Sequence, residues 1–152
     1  MKIAIFVHCF FPEHFYGTET YTLNLATNLK ALGHEVTVVA AVFAGEPSRL
    51  QQITEYGYDD IKVILIDKNH TPNRRVRDTY YQPELAIALR SVLRQVEPDI
   101  VHVTHLINHT AVLLDVTREM GIPTFATLTD FFGFCFTNKL EDARGQLCAG
   151  PS

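Results

Sequence analysis

Five of the seven histidines fall in two short segments: His8 and His14 in one, His102, His105 and His109 in the other. Histidine donates, accepts or transfers protons near neutral pH, so such crowding marks polar recognition or proton chemistry. His102 alternates with apolar neighbours and reads as a hydrogen-bonded core residue, and His14, His105 and His109 are taken as the ligand candidates. Asp130, followed by Phe131 and Phe132, adds a carboxylate suited either to a site or to capping a helix. In Tyr16-Gly17-Thr18-Glu19 a glycine stands beside a helix start, with Thr18 as the expected N-cap and Glu19 in the first turn. Unpaired amides and the helix dipole favour an anion there, such as a diphosphate. A metal is the sharper alternative for the histidines, since His105 and His109 are four apart and Cys9 could lie near. No HExxH or paired CxxC pattern supports it, so no metal ligand is assigned. Arg74, Arg75 and Arg77 form the one basic cluster, able to pair with phosphate or simply to solvate a loop.

These residues need a scaffold, and the hydrophobic pattern supplies one. Lys2–His8, Glu35–Val42, Ile61–Ile66, Asp99–His105 and Pro123–Leu128 are short apolar, β-branched runs of the kind that form parallel strands covered on both faces. Helical spacing marks Glu19–Leu32, a segment from Pro83 to Val96 that ends before Pro98, and Thr110–Met120 closed by Gly121. Ser48–Tyr56 carries only a weak helical stripe, Leu50 and Ile53, and from Asp130 onward neither period is sustained. Alternating strands and helices specify a doubly wound, mostly parallel α/β sheet of Rossmann-like type. Ligands of such sheets bind beyond the carboxyl ends of the strands where strand order reverses. That rule selects the loops Cys9–Thr18 and Thr104–Thr110, which carry His14, His105 and His109.

The 152 residues suit one domain, 47% apolar and 20% charged. A net charge of −4 argues against a nucleic-acid partner, whose binding rests on a cationic face. The apolar opening, Ile3–Phe11, is too short to span a bilayer and lacks a signal-peptide cleavage site. Three cysteines, Cys9, Cys135 and Cys148, do not make a disulfide scaffold, so a reducing cytoplasm is expected.

FFPEHFYGTETYTLNLATNLKALGHEVTVVA, EPDIVHVTHL, GIPTFATLTDFFGFC and GQLCAGP, in that order, resemble successive blocks of the amino-terminal domain of retaining GT-B glycosyltransferases of family 4. The resemblance covers nearly the whole chain. It implies that residues 1–152 are one Rossmann-like, acceptor-side domain of a two-domain enzyme whose donor domain is absent. It implies transfer of a sugar, with retention, from a nucleotide sugar to a glycan or lipid-linked acceptor. The nucleotide sugar is then a substrate and no cofactor is expected; the enzyme is placed in the cytoplasm, peripheral to the inner face of the membrane where the acceptor is lipid-linked. On this reading Asp130 and His105 serve the reacting centre and Tyr16, Gly17 and Thr18 hold the donor diphosphate. His14, Glu19, His109, Thr129 and Arg74 contact substrate. Two positions depart from the family pattern: Tyr16 replaces the first of two turn glycines, and Thr129 stands where the TxHD motif has its histidine. Cys135-Phe136-Thr137 replaces CPR. Two other readings are a noncatalytic flavodoxin-like binding module, complete at this length, and a metal-dependent hydrolase built on the histidines.

Overall fold

The structure, a computed structural model, describes residues 1–42, 45–132, 135, 139–142 and 144–148. Its elements are β1 (Lys2–Phe6), α1 (Gly17–Ala31), β2 (Glu35–Val42), β3 (Ile53–Tyr58), β4 (Ile61–Asp67), α2 (Ala86–Val96), β5 (Ile100–Val103), α3 (Val112–Glu119) and β6 (Thr124–Ala126). Six strands form one sheet in the order β3-β4-β2-β1-β5-β6. All neighbours are parallel except β3, which runs antiparallel to β4 from Ile53 opposite Ile66 to Tyr58 opposite Ile61.

β-Branched side chains buried on both faces make the central strands. Val38, Val39, Ala40 and Ile64 are all fully inaccessible. On one face α1 places Ala26, with Leu25 and Leu29, against Ile3, Ile5, Val36 and Val38. On the other, α2 contributes Leu89, Val92 and Leu93, and α3 contributes Val112, Leu113 and Val116, against Ala4, Phe6, Val39 and Val101. Each such burial is worth about 1.5–3 kcal/mol, so the sheet is clamped between two helical layers. α1 stops at Gly33, whose φ of +85° suits glycine, while His34 N–H donates to Leu29 C=O at 3.1 Å.

The sequence-based map needs three corrections. Ser48–Tyr56 is not helical: β3 occupies its end, because pairing with β4 outweighs a stripe of two apolar residues. One crossover between parallel strands is therefore a β-hairpin arm instead of a helix. α1 begins at Gly17 with Tyr16 as N-cap and no side-chain cap bond, so Thr18 is an internal residue and not the cap. The last two strands are shorter than their apolar runs, which leaves Thr104–His105 and Thr127–Asp130 as loop beyond the sheet. The reversal of strand order does fall between β1 and β5. Among the described residues no helix is long and apolar enough to cross a membrane. The expected Phe136 and Thr137 lie outside the described residues.

Candidate functional site

A cavity of about 630 Å³ opens where the rule for such sheets places ligands. The loop after β1 contributes His8, Cys9 and His14, and the start of α1 contributes Tyr16, Gly17, Thr18, Glu19 and Tyr21. The segment after β6 closes it with Thr127, Leu128, Thr129 and Asp130. The volume is that of an ordinary small-molecule site.

The α1 wall presents backbone amides outside the helical ladder. Thr20 N–H makes the first intrahelical bond, to Tyr16 C=O at 3.0 Å, so the amides of Gly17, Thr18 and Glu19 precede the hydrogen-bonded ladder. They lie at the positive end of the helix dipole. Gly17 has no heavy atom within 4 Å of the position a Cβ would take, and its φ is outside the left-handed region. The backbone therefore does not demand glycine; its effect is to keep open the approach to the amides.

Asp130 and His105 act as a pair. His105 Nδ1 accepts from Ile107 N–H at 3.1 Å, so its proton is on Nε2 and donates to Asp130 Oδ2 at 2.8 Å. The second carboxylate oxygen accepts from Phe132 N–H at 2.9 Å. Burial alone would raise the Asp130 carboxyl, but the Phe132 amide and the His105 bond hold it below its ordinary value. It is a carboxylate at neutral pH, able to accept protons or face positive charge. His105 itself is only 6% exposed and reaches the cavity through Asp130.

His8 packs on His105 with ring centroids 4.4 Å apart and lies 3.1 Å from Glu19 Oε1. Burial and then His105 lower its pKa to about 4, against the raising effect of Glu19 and Asp130, so the ring is neutral at pH 7. Cys9 Sγ–H donates to the same Glu19 oxygen at 2.8 Å, and burial pushes that thiol up. Sequence spacing offered Cys9 only as a neighbour of His105 and His109 in a metal site and gave His8 no role; their convergence on Glu19 arises only when α1 folds back over β1.

A hydroxyl network joins the two sides. Thr18 donates to Thr129 Oγ1 at 3.0 Å, and Thr129 donates to Thr104 C=O at 3.1 Å. The Thr22 and Thr104 hydroxyls lie 2.8 Å apart and share a hydrogen bond, while each also reaches a carbonyl, Thr22 that of Thr18 and Thr104 that of Phe6. Thr129 thus spends its proton inside the protein.

Of the expected site residues, Asp130, Tyr16, Gly17, Thr18, His14, Glu19 and Thr129 line this cavity. His14, 3.2 Å from Glu46, also borders a neighbouring cavity of about 400 Å³ that holds Phe10, Tyr56 and Arg49. His109 is corrected: it is 1% exposed, donates from Nε2 to Val7 C=O at 2.7 Å and packs edge-on against Phe6. Positive φ at Asn108 and Thr110, 69° and 60°, turns it into the core. Arg74 lies exposed on the loop after β4 and lines neither cavity. Its amide donates to Asp78, the carboxylate that Arg75 also pairs with at 3.2 Å. His102, 2.8 Å from Thr127 Oγ1, is half-buried and serves the sheet edge.

The family model described as Glycosyltransferase Family 4 matches residues 15–139, from the residue before the α1 cap to beyond Asp130. No curated protein matches the chain.

Proposed function

The chain belongs to Glycosyltransferase Family 4, and from that premise we propose that it is the acceptor-side half of an enzyme moving a sugar from a nucleotide sugar to a glycan or lipid-linked acceptor with retention. The observation that carries this reading is one cavity with an anion-favouring helix start on one wall and an ionised carboxylate on the other. The amides of Gly17 and Thr18 receive the leaving diphosphate, whose charge grows as the glycosidic bond breaks. Asp130 faces the sugar, where its negative charge stabilises an oxocarbenium-like centre and its lone pairs orient the incoming hydroxyl. His105 is a positioning residue that fixes Asp130. Thr129 holds the wall and offers the donor no proton.

Phe15 and Tyr16, stacked with centroids 5.8 Å apart, and Leu128 stand exposed beside the cavity. They present an apolar rim to a sugar face or to the second domain that completes the donor site. The exposed Arg74–Arg77 loop, away from the cavity, serves peripheral contact with anionic lipid at the cytoplasmic face. No resident cofactor is required in this scheme.

The test is release of nucleoside diphosphate by the longer enzyme carrying this domain, assayed over a panel of nucleotide sugars. Asp130→Asn keeps the shape and both acceptor positions in part but loses the charge, and is expected to lower turnover by roughly a hundredfold or more. Wild-type turnover in Asp130→Asn, with intact folding, overturns the assignment.

A further inference from the structure

We propose that His8, Cys9 and Glu19 bind a thiophilic divalent cation of the zinc class, with a fourth coordination position open to the cavity. The ligand atoms of these three residues all lie within 4.8 Å of one another. Tetrahedral zinc with bonds of about 2.0–2.3 Å separates its ligands by roughly 3.3–3.8 Å, so small side-chain rotations open the trio around an ion. Nitrogen, sulfur and oxygen in one set favour zinc over calcium or magnesium, which prefer oxygen alone.

A second observation points to a ligand at this spot. Glu19 is 1% exposed and lines the cavity, yet among the described residues no donor reaches its Oε2, while Oε1 takes both His8 and Cys9. A carboxylate has about four acceptor positions, and leaving an oxygen of a buried one without a partner is costly. A cation bound between Glu19 and Cys9 supplies that partner. On binding, the Cys9 thiol loses its proton to solvent, and thiolate and carboxylate together neutralise the dication. No oxidation state changes and no covalent bond other than S–H breaks.

The ligands are held by the core. His8 and Cys9 follow β1 directly and Glu19 sits in the first turn of α1, so ion binding does not have to order a loop. His105 packs on the His8 ring and is itself fixed by Asp130 and the Ile107 amide, which orients the imidazole. This site differs from the one suggested by spacing, His105 with His109, because His109 points into the core. It does not rest on the glycosyl-transfer reading.

The experiment titrates the chelator-stripped chain with Zn²⁺ against a chromophoric chelator and, separately, with Co²⁺, whose ligation by thiolate gives near-ultraviolet charge-transfer absorption. Cys135→Ser/Cys148→Ser leaves Cys9 as the one thiol of the chain without touching the trio. One equivalent of ion and a thiolate–cobalt band in that double variant are expected, with Zn²⁺ affinity falling roughly tenfold or more in His8→Gln. Loss of the band in Cys9→Ala, checked for folding by circular dichroism, completes the assignment. Absence of the band in the double variant, or stoichiometric binding indifferent to His8→Gln, overturns the proposal and leaves the trio a hydrogen-bonded support of the α1 start.

Discussion

Replacing His109 by Gln should flatten the acid side of the stability profile. The ring is buried, and its Nε2–H bond to Val7 needs only a neutral imidazole. Burial is the main cause of its low pKa, about 4 against 6.5; the Val7 bond works the other way, and His8, His105 and Lys68 add to the lowering. Between those two values the unfolded chain binds more protons than the folded one, so stability falls as pH falls. The contribution is intact above pH 6.5, about 2 kcal/mol is lost by pH 5, and about 3 kcal/mol is lost once pH passes below 4. His8, whose pKa is also about 4, adds a second loss of similar size. Glutamine cannot titrate but retains an N–H for Val7. Urea unfolding followed by circular dichroism at pH 7, 6 and 5 should show His109→Gln losing about half of what these two histidines cost the parent. Parallel profiles for parent and variant would refute the reasoning, as would an NMR ring pattern that places the His109 proton on Nδ1.

Gly17→Ala should leave unfolding free energy within about 1 kcal/mol of the parent, because the methyl meets open space, while transfer by the longer enzyme falls about tenfold, or about 1.4 kcal/mol. Unchanged turnover and donor affinity would remove Gly17 from the diphosphate role. Lys68, 2% exposed, holds Asn73 Oδ1 at 2.9 Å together with the buried Gln82 Oε1, so Lys68→Met strands the Gln82 acceptor and should cost about 1–3 kcal/mol. Calorimetry should then show a melting temperature lower by several degrees, about 2–4 °C per kcal/mol; an unchanged value would show that the Gln82 amide finds another partner. Changing Arg74, Arg75 and Arg77 to Gln should abolish salt-sensitive sedimentation of the longer enzyme with anionic vesicles, and undiminished sedimentation would make the cluster a solvated loop.

The parallel core was legible because runs such as Val36–Val42 and Ile61–Ile66 are apolar on both faces, which few other arrangements tolerate. β3 was not: Glu55 and Gly57 interrupt its apolar pattern, and only pairing with β4 selects it. Strand order located one wall of the cavity, the loop after β1; the other wall is Thr127–Asp130 after β6, one strand beyond the expected Thr104–Thr110 loop. The direction in which each side chain points was not legible. His105 and His109 share a loop and a residue type, yet backbone turns at Asn108 and Thr110 send one beside Asp130 and the other into the core. Thr18 looked like a cap because capping is a local rule, whereas its hydroxyl is claimed by Thr129, 111 residues away. The meeting of Cys9, His8 and Glu19 is likewise a product of α1 folding over β1, invisible to spacing.

The threonine bridges also set how much of the protein is ready to bind at any moment. Thr18–Thr129, Thr129–Thr104 and Thr22–Thr104 fasten the start of α1 to the ends of β5 and β6. Splaying this side of the cavity breaks them together, and at about 1 kcal/mol each that holds the splayed form to roughly 1% of molecules or fewer. Almost every molecule already has the binding-competent wall, so intrinsic affinity is not diluted by a search among conformers. Motion that accompanies catalysis then falls on whatever approaches this wall, and the wall itself behaves as a fixed anvil.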